Sequence, residues 1–262
     1  MPGLDANRLA AALKHESFVR RIVVLHTTGS TNDDARRLAV EGAPEGTVVL
    51  AEHQTEGRGR LGRRWDSPER KGLYLSVLLR PTEPPGSIGR YPIAAAVAVC
   101  TACRAFAGAD PVLKWPNDVL ARGAKLAGVL SELRHGAAGA DLVLGIGVNV
   151  NQTGEDFDAS LRGTATSLRG LLGGATVNPE AVATELLRAL GAAVALLRAG
   201  AWTEVAGQFL RYAPHATGRR VRLAAGGEGS TDGLDASGAL RVATANGIVL
   251  VHASESVALV EE

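Results

Sequence analysis

Cysteine, histidine and methionine are scarce in this sequence of 262 residues, which contains two, six and one of them. The spacing of Cys100 and Cys103 is C-x-x-C, but both lie in a run of small residues typical of a helix, and no second pair accompanies them. We therefore predict buried core thiols rather than a zinc or redox site. The sequence also has no grouping of serine, histidine and acid that would indicate nucleophilic catalysis. Classes of protein that depend on these chemistries are disfavoured.

Long apolar runs and an excess of one charge are missing as well. No segment is long enough and apolar enough to span a membrane, and the first residues, with Asp5, Lys14 and Glu16, lack the apolar stretch of a signal peptide. We expect a cytoplasmic protein without membrane association. The formal net charge is +1, so the chain has no overall basic field of the kind that drives non-specific binding to nucleic acid. With 46% hydrophobic residues, the length fits one large domain, alone or with a small appendage.

The most distinctive stretch that is present is Gly57-Arg-Gly-Arg-Leu-Gly-Arg-Arg-Trp65. Its glycines let the backbone approach a ligand, and its arginines are permanent cations that suit phosphate and carboxylate oxygens. The indole that follows can stack on a purine. No helix follows the glycines, so the dinucleotide fingerprint does not apply, and Arg63 and Arg64 replace the lysine and hydroxyl residue of a P-loop. We predict an anion-binding loop; an exposed basic turn is the alternative.

Hydrophobic patterns place this loop between two strands, 46–52 and 73–79, where a ligand lid belongs. The other predicted elements are a helix over 4–20, a strand over 22–26, a helix over 33–41, a helix over 87–106, a kinked pair of strands over 112–120, a hairpin over 125–133 and 141–151, and helices over 179–198 and 202–212. Thr31 or Asn32 is expected to cap the helix over 33–41. The sequence thus predicts a mixture of strands and helices up to about residue 214.

The composition changes after residue 214. Short alternating strands follow, separated by turns at Gly226-Gly227, 235–238 and Asn246-Gly247, and this pattern indicates a small antiparallel barrel. We therefore predict two domains, 1–214 and 215–262.

Polar residues at strand ends and in loops are mostly cations and amides. They are Ser30, Thr31, Asn32, Gln54, Arg58, Arg60, Arg63, Lys114, Asn117, Asp118, Lys125 and Asn149. Such a set suits a site that gathers two anions, for example a carboxylate and a nucleotide, and stabilises charge by position. A structural role as a helix cap is the alternative for Ser30, Thr31 and Asn32. Glycines inside strands at 128, 145 and 147 indicate either the close approach of a ligand or backbone, or a bulge.

Four motifs in order resemble those of the biotin protein ligase family, the biotin-[acetyl-CoA-carboxylase] ligases. They are Gly57-Arg-Gly-Arg-Leu-Gly-Arg-Arg-Trp65, Lys114-Trp-Pro-Asn-Asp118, Lys125-Leu-Ala-Gly-Val-Leu130 and Gly145-Ile-Gly-Val-Asn149. The resemblance extends from about Ile22 to the C-terminus. It implies an α+β fold with a mixed, mostly antiparallel sheet and helices on one face, like the catalytic domains of class II aminoacyl-tRNA synthetases, followed by a small SH3-like barrel.

The resemblance also implies an activity. Biotin would be activated by ATP and Mg²⁺ to biotinoyl-5′-AMP, with release of pyrophosphate, and then transferred to a lysine of a biotin carboxyl carrier domain of an acyl-CoA carboxylase or pyruvate carboxylase. A lipoate or octanoate ligase or transferase of the same superfamily and a biotin-responsive regulator are the alternatives. Because about twenty residues precede the first strand, no DNA binding is expected. A monomer or weak homodimer is expected.

By the same resemblance, individual residues receive roles. Contact with biotin is implied for Ser30, Thr31, Asn32, Gln54, Arg58, Gly59, Arg60, Lys125, Gly128 and Gly145. Contact with ATP is implied for Arg63, Trp65, Lys114, Asn117, Lys125 and Asn149. Lys125, Arg60 and Asp118 are the implied catalytic residues, with Asp118 as a candidate to hold magnesium or to receive the proton of the acceptor amine. The glycines at 128, 145 and 147 are expected to let the ligand lie flat on the sheet.

Overall fold

The computed structural model describes residues 3–107, 111–136, 139–253 and 256–260. Seven strands form a mixed sheet in the order β1-β2-β3-β7-β6-β5-β4. Their bounds are β1 Arg21–Thr28, β2 Thr47–Gln54, β3 Gly72–Leu79, β4 Val112–Lys114, β5 Asp118–Ala121, β6 Ala124–Gly136 and β7 Gly139–Asn149. Strands β1 and β2 are parallel, and the other neighbouring strands are antiparallel. The predicted hairpin of β6 and β7 is confirmed by the pairing of Arg134 with Asp141.

Six α-helices accompany the strands in the described part of the chain. They are α1 Ala6–Ala12, α2 Thr31–Val40, α3 Arg90–Ala107, α4 Leu168–Leu171, α5 Pro179–Arg198 and α6 Trp202–Tyr212. The prediction of one helix over 4–20 is wrong in length, because α1 ends at Ala12. The chain then turns so that Phe18 reaches the core and packs where Gly191 of α5 leaves room for its ring. Tertiary packing overrides the local helical pattern there.

The N-terminus of α2 also differs from the prediction. Ser30 is the N-cap residue, without a hydrogen bond from its side chain, and Thr31 and Asn32 already belong to the first turn. The prediction that Thr31 or Asn32 caps the helix is therefore wrong, while Ser30 occupies the cap position through its backbone. Asp33 and Asp34 follow in the first turn, where the helix dipole favours negative charge.

Side-chain alternation gives the sheet two apolar faces. On one face, α2 packs with Val49, Leu78 and Val143. Their chain neighbours Leu50 and Leu144 point to the opposite face, where the larger core with α3 and α5 lies. The mixed α+β fold is confirmed, with the addition that α2 covers the face opposite the longest helices. Cys100 and Cys103 of α3 are buried and form no disulfide, and burial raises the pKa of the Cys103 thiol.

A second, antiparallel sheet follows α6 in the order β11-β10-β9-β8-β12. Its strands are β8 Thr217–Leu223, β9 Glu228–Leu234, β10 Leu240–Thr244, β11 Gly247–Val251 and β12 Val257–Leu259, in agreement with the predicted small barrel of the SH3-like kind. Two indole hydrogen bonds hold the turn between β9 and β10 against the rest of the molecule. Trp115, which follows β4, donates to the carbonyl of Gly238, and Trp202 of α6 donates to that of Asp235, each at 3.1 Å. The boundary at 214/215 stays a prediction.

One helical stretch in the described chain, 85–106, is long and apolar enough by composition to cross a membrane. However, 61% of its apolar window is buried inside the molecule. Its apolar residues are accounted for by the protein core.

Candidate active site

The glycine- and arginine-rich stretch forms a hairpin-like loop over the sheet. The amide of Gly59 donates to the carbonyl of Arg63 at 2.7 Å, and that of Trp65 to the carbonyl of Gly57 at 2.9 Å. Between them, Leu61 adopts a left-handed conformation with φ 56° and its side chain is 65% exposed. The loop therefore has its own backbone hydrogen bonds and covers a cavity of about 440 Å³ on the α2 side of the sheet.

The structure brings all the sequence-predicted site residues to the walls of this cavity. They are Ser30, Thr31, Asn32, Gln54, Arg58, Gly59, Arg60, Arg63, Trp65, Lys114, Asn117, Asp118, Lys125, Gly128, Gly145 and Asn149. Arg64 and Asp66 line it as well. Among the lining residues described, six side chains are cationic and two are acidic, so the cavity favours anions. The role of each residue stays a prediction.

One end of the cavity holds a hydrogen-bonded cluster of neutral polar groups. The Oε1 atom of Gln54 accepts from the backbone amide of Thr31 at 2.9 Å and lies 3.1 Å from its hydroxyl. The hydroxyl of Ser76 lies 2.8 Å from the Thr31 hydroxyl and 2.6 Å from Oδ1 of Asn32. All four residues are buried. Because their hydrogen bonds hold them in place, they can present fixed donors and acceptors to a ligand.

The same cluster continues to both stems of the loop. On one side, Nε2 of Gln54 donates to the Ser67 hydroxyl at 3.0 Å, and that hydroxyl lies 3.2 Å from the carbonyl of Trp65. On the other side, Nδ2 of Asn32 donates to Oε2 of Glu132 at 2.5 Å. Arg58 lies beside that carboxylate, with a nitrogen 3.7 Å from Oε2.

Arg58 is held by carboxylates of the protein itself. Its two terminal nitrogens donate to the two oxygens of Asp33 at 2.6 and 2.7 Å, the paired geometry that suits a guanidinium. The hydrogen bond from Arg58 lowers the pKa of Asp33 below its ordinary value. Arg58 was predicted to contact biotin, and in this structure its charge is balanced by Asp33.

The other end of the cavity is cationic. Nζ of Lys125 lies 2.7 Å from Oδ1 of Asp118 and 5.5 Å from the centre of the Trp65 ring. Arg60 donates to Oδ1 of Asn117 at 3.2 Å, and Nδ2 of Asn117 donates in turn to a backbone carbonyl of β6 at 2.6 Å. An ammonium group between a carboxylate and an aromatic face stays oriented without a ligand. Two cations are thus positioned where a phosphate or carboxylate can approach.

Glycines of β6 and β7 line the bottom of the cavity, and side chains of the protein itself pack directly against them. A Cβ atom at Gly147 would lie far inside van der Waals contact with the Trp65 indole, and one at Gly145 would collide with the amide of Asn32. Gly147 pairs across the sheet with Gly128, where a Cβ would also touch the indole. The glycines therefore admit Trp65 and Asn32 to the sheet. That they also let a ligand lie flat on the sheet, as the resemblance implies, stays a prediction.

Asn149 ends β7 at the same side of the cavity. Its Nδ2 donates to the carbonyls of Lys125 and Thr166, at 3.3 and 3.0 Å, and its Oδ1 accepts from Gln152 at 3.0 Å. The side chain therefore joins β6 and β7 to the loop that follows. In this structure Asn149 holds the backbone of Lys125 in place.

Sequence reasoning missed four residues that organise the site: Asp33, Ser67, Ser76 and Glu132. Ser76 and Glu132 lie inside strands, on the face that α2 covers; Ser76 is fully buried and Glu132 is half-buried. A polar residue inside an otherwise apolar strand was the available signal. Asp33 lies in the first turn of α2, where the helix dipole by itself accounts for a negative charge. Their partners lie far away in sequence, so spacing did not reveal their role.

Comparison with known proteins places residues 24–149 in one family. This segment matches the family described as the biotin/lipoate A/B protein ligase family. A bifunctional ligase/repressor of Bacillus spizizenii is 40% identical over 172 residues, which are 64% of this chain and 52% of that protein. A biotin-[acetyl-CoA-carboxylase] ligase of Mycobacterium tuberculosis is 43% identical over 180 residues, 67% of this chain and 64% of that protein. The matched part thus spans about half to two thirds of these relatives.

The fold matches solved structures over nearly its whole length. A biotin protein ligase from Aquifex aeolicus, solved in complex with biotin and ATP, superimposes with a TM-score of 0.77 at 29% identity. The alignment covers 93% of this chain and 100% of that one. The arrangement of the two sheets is therefore shared as well.

Proposed function

Because this chain belongs to the biotin/lipoate A/B protein ligase family through residues 24–149, we propose that it is an ATP-dependent biotin protein ligase. The observation that carries the proposal is the division of one cavity into a neutral end with fixed amides and hydroxyls and a cationic end with Lys125 and Arg60. Biotin has the same division, with a neutral ureido ring and a carboxylate at opposite ends. The triphosphate of ATP is the second anion that the cations of the cavity would bind.

The first step is adenylation. An oxygen of the biotin carboxylate attacks the α-phosphorus of ATP, the bond from that phosphorus to the bridging β-oxygen breaks, and pyrophosphate leaves. Two anions must approach each other, which costs electrostatic energy unless fixed cations lie beside them. Lys125 would contact the carboxylate and the α-phosphate, and Arg63 the departing phosphates. Trp65 would pack against the adenine.

Magnesium is expected to enter with the ATP phosphates. The cavity offers few carboxylates, and Mg²⁺ is commonly held by one or two carboxylates together with phosphate oxygens and water. Asp118, whose Oδ1 lies 2.7 Å from Nζ of Lys125, is the carboxylate of the cavity that would hold the metal. The metal would supply neutralisation of the phosphate charge.

The second step is transfer to a carrier protein. The amine of a lysine on a biotin carboxyl carrier domain attacks the acyl carbon of biotinoyl-5′-AMP, an amide bond forms, and AMP leaves. Asp118 is the carboxylate that we propose receives the proton of the attacking amine. Carrier domains of an acyl-CoA carboxylase or of pyruvate carboxylase are the proposed acceptors, and the cytoplasm is the proposed location. We do not extend the proposal to repression, since the match covers 52% of the ligase/repressor.

The loop would protect the intermediate from water, because an acyl-adenylate hydrolyses readily when water reaches it. Arg60 hydrogen-bonds to Asn117 across the cavity, so it holds the loop closed at the adenylate end. We expect Arg60→Ala to raise the fraction of biotinoyl-5′-AMP released into solution by about tenfold, more than it slows adenylate formation. Filtration of the protein after reaction with radiolabelled biotin measures both quantities. Equal retention in the variant and the wild type would remove Arg60 from this role.

A lipoate or octanoate ligase is the second candidate, since the family name includes lipoate ligases. The measurement that separates the two is pyrophosphate release from MgATP by the purified chain, with biotin, lipoate or octanoate as the acid and no carrier present. Release with biotin supports the proposal, and addition of a carrier domain then tests the transfer. Release of pyrophosphate only with lipoate or octanoate would show that one of these acids, and not biotin, is the substrate. No release of pyrophosphate with any of the three acids would contradict the adenylation step.

A further inference from the structure

Besides Asp33, the carboxylate of Glu132 contacts the loop, and it also contacts the cluster of neutral polar groups formed by Thr31, Asn32, Gln54 and Ser76, here called the head-group cluster. Glu132 lies on β6 opposite Val143, on the face of the sheet that α2 covers. Its Oε2 atom accepts from Nδ2 of Asn32 at 2.5 Å and is the same atom that lies 3.7 Å from a terminal nitrogen of Arg58. One oxygen therefore faces both a residue of the proposed biotin site and an arginine of the loop.

This contact fixes the orientation of the Asn32 amide. Because Ser76 lies 2.6 Å from its Oδ1 and a carboxylate oxygen accepts hydrogen bonds, the nitrogen of the amide must point to Glu132. One N–H of the amide then remains for the cavity. Without Glu132, either end of the amide could point to the ligand, and the site would lose a defined donor.

The charges around Glu132 are balanced. Two cations, Arg36 and Arg58, face the two anions Glu132 and Asp33. Arg36 donates to Oε1 of Glu132 at 3.3 Å and also pairs with Asp33. Arg58 donates to both oxygens of Asp33. Each cation thus lies beside both anions. Loss of either carboxylate leaves two guanidinium groups sharing one negative charge, and Arg58 is the one of the two that belongs to the loop.

We propose that Glu132 is a positioning residue that couples Asn32 to the arginine loop, with Asp33 as the main anchor of Arg58. A ligand that takes the free N–H of Asn32 restrains this amide, and the amide restrains Glu132 and Arg58 in turn. Binding of a ligand at the neutral end of the cavity thereby favours the conformation in which the loop over 57–65 covers the cavity. This inference rests on the proposed function only for the identity of the ligand, biotin.

Tryptic cleavage of the ligand-free protein tests the anchor without any ligand. The loop offers Arg58, Arg60, Arg63 and Arg64 as cleavage sites, and the fragments are identified by mass spectrometry. We expect Asp33→Asn to speed cleavage in the loop by about fivefold, the scale for loss of a partly exposed, two-pronged ion pair. Glu132→Gln, which loses one longer ion contact, should speed it by about twofold. Glu41→Gln is the matched control: it removes one negative charge from the far end of α2, where Glu41 pairs with Arg37. Cleavage at the wild-type rate in both site variants would contradict the claim that Asp33 and Glu132 hold the loop through Arg58.

The coupling is tested by a double-mutant cycle with biotin. KM for biotin in pyrophosphate release is measured for Glu132→Gln, Asn32→Ala, the double variant and the wild type, together with the protection that saturating biotin gives to the loop. We expect Glu132→Gln to raise KM about tenfold and to lose most of the protection, and the Asn32 effect to shrink in the Glu132→Gln background. Independent effects on KM, or full protection in Glu132→Gln, would overturn the coupling.

Failure of the proposed function can be distinguished from failure of the proposed role of Glu132. A wild-type protein that releases no pyrophosphate with biotin would contradict the proposed function, while the ligand-free cleavage rates would still decide whether Asp33 and Glu132 hold the loop. Far-UV circular dichroism checks that each variant is folded, and Asp33→Asn provides a second variant if Glu132→Gln does not fold.

Discussion

At the scale of single residues, the site depends on a few side chains that the protein keeps in place before any ligand arrives. Lys125 is the clearest example. Its ammonium group lies between the carboxylate of Asp118 and the face of Trp65, and its backbone is hydrogen-bonded to the following loop through Thr164 and Thr166. In the proposed adenylation, a cation that is already oriented would require little rearrangement when charge develops on the α-phosphate.

Replacement of Lys125 by methionine keeps the length of the side chain and removes the charge. We expect the rate of biotin-dependent pyrophosphate release to fall by about 100-fold or more, because one preorganised electrostatic contact is typically worth two to three orders of magnitude in rate. Lys14→Met, in the exposed segment after α1, is the matched control. A Lys125→Met variant with the wild-type rate would show that the reacting groups do not need this cation.

Gly147 illustrates how a missing side chain shapes the cavity. The Trp65 indole lies where its Cβ would stand, and the indole N–H is buried without a hydrogen-bond partner. An added methyl group at this position must therefore displace the ring, since the sheet backbone cannot move.

We expect Gly147→Ala to expose Trp65 to acrylamide quenching and to raise KM for ATP by about tenfold, the effect of losing one aromatic stacking contact. Gly207→Ala in α6 is the control, because a Cβ there meets no atom within 4 Å. Unchanged quenching and unchanged KM in Gly147→Ala would mean that the ring can move at no cost to nucleotide binding.

At the scale of elements, the loop is anchored where its second stem joins the sheet. The buried carboxylate of Glu52 on β2 accepts hydrogen bonds from Arg70, which follows the loop, and from the backbone amide of Leu4, and it lies 2.8 Å from Nδ1 of His26. Burial opposes ionisation of Glu52, but these contacts outweigh it and hold its pKa below the ordinary value. One side chain thus joins the N-terminal segment, two strands and the loop.

The sign of the pH dependence follows from this lowered pKa. The contribution of ionised Glu52 to stability is complete above the pKa of the unfolded chain, about 4.3, and is lost as the pH falls through the lower pKa of the folded state. We expect Glu52→Gln to reduce the free energy of unfolding by about 1.5–3 kcal/mol at pH 7, the usual range for hydrogen bonds to charged groups. The difference should narrow at pH values below 4.

Urea denaturation at pH 7 and pH 3 measures this difference. Glu56→Gln removes the same charge from an exposed position four residues further along and serves as control. A deficit of equal size at both pH values would assign the stabilisation to packing of the side chain rather than to its charge.

At the scale of the whole molecule, the two sheets share one hydrophobic core. Val221, Leu240 and Val242 of the second sheet belong to the same buried cluster as Leu113 and Trp115 of the first. Indole hydrogen bonds from Trp115, which follows β4, and from Trp202 of α6 both end on the turn between β9 and β10. This continuity predicts that the two proposed domains unfold together.

We expect a single transition on thermal or urea unfolding, with the same midpoint by tryptophan fluorescence and by far-UV circular dichroism. Trp202→Phe, which loses the hydrogen bond to Asp235, should lower the free energy of unfolding by about 1–2 kcal/mol without splitting the transition. Two separate transitions in the wild type would instead support independent units divided near residue 214.

Local signals were sufficient for much of the fold. Periodicity and turn residues predicted the hairpin of β6 and β7, the helices α5 and α6 and the small C-terminal sheet, because each depends on residues close together in the chain. They failed for the segment after α1 and for the cap of α2, where contacts of Phe18 with Gly191 and of Asn32 with Ser76 decide the conformation.

The sequence by itself determined the chemistry of the cavity: arginine, lysine, amide and glycine in four ordered motifs, a composition that suits two anionic substrates. Only the tertiary structure decided which of these groups face a ligand and which are held by the protein. Arg58 is paired with Asp33, Asn32 with Glu132, and the indole of Trp65 covers Gly147. These contacts join residues from separate strands and helices, and their energies depend on distance and burial, which no pattern along the chain records.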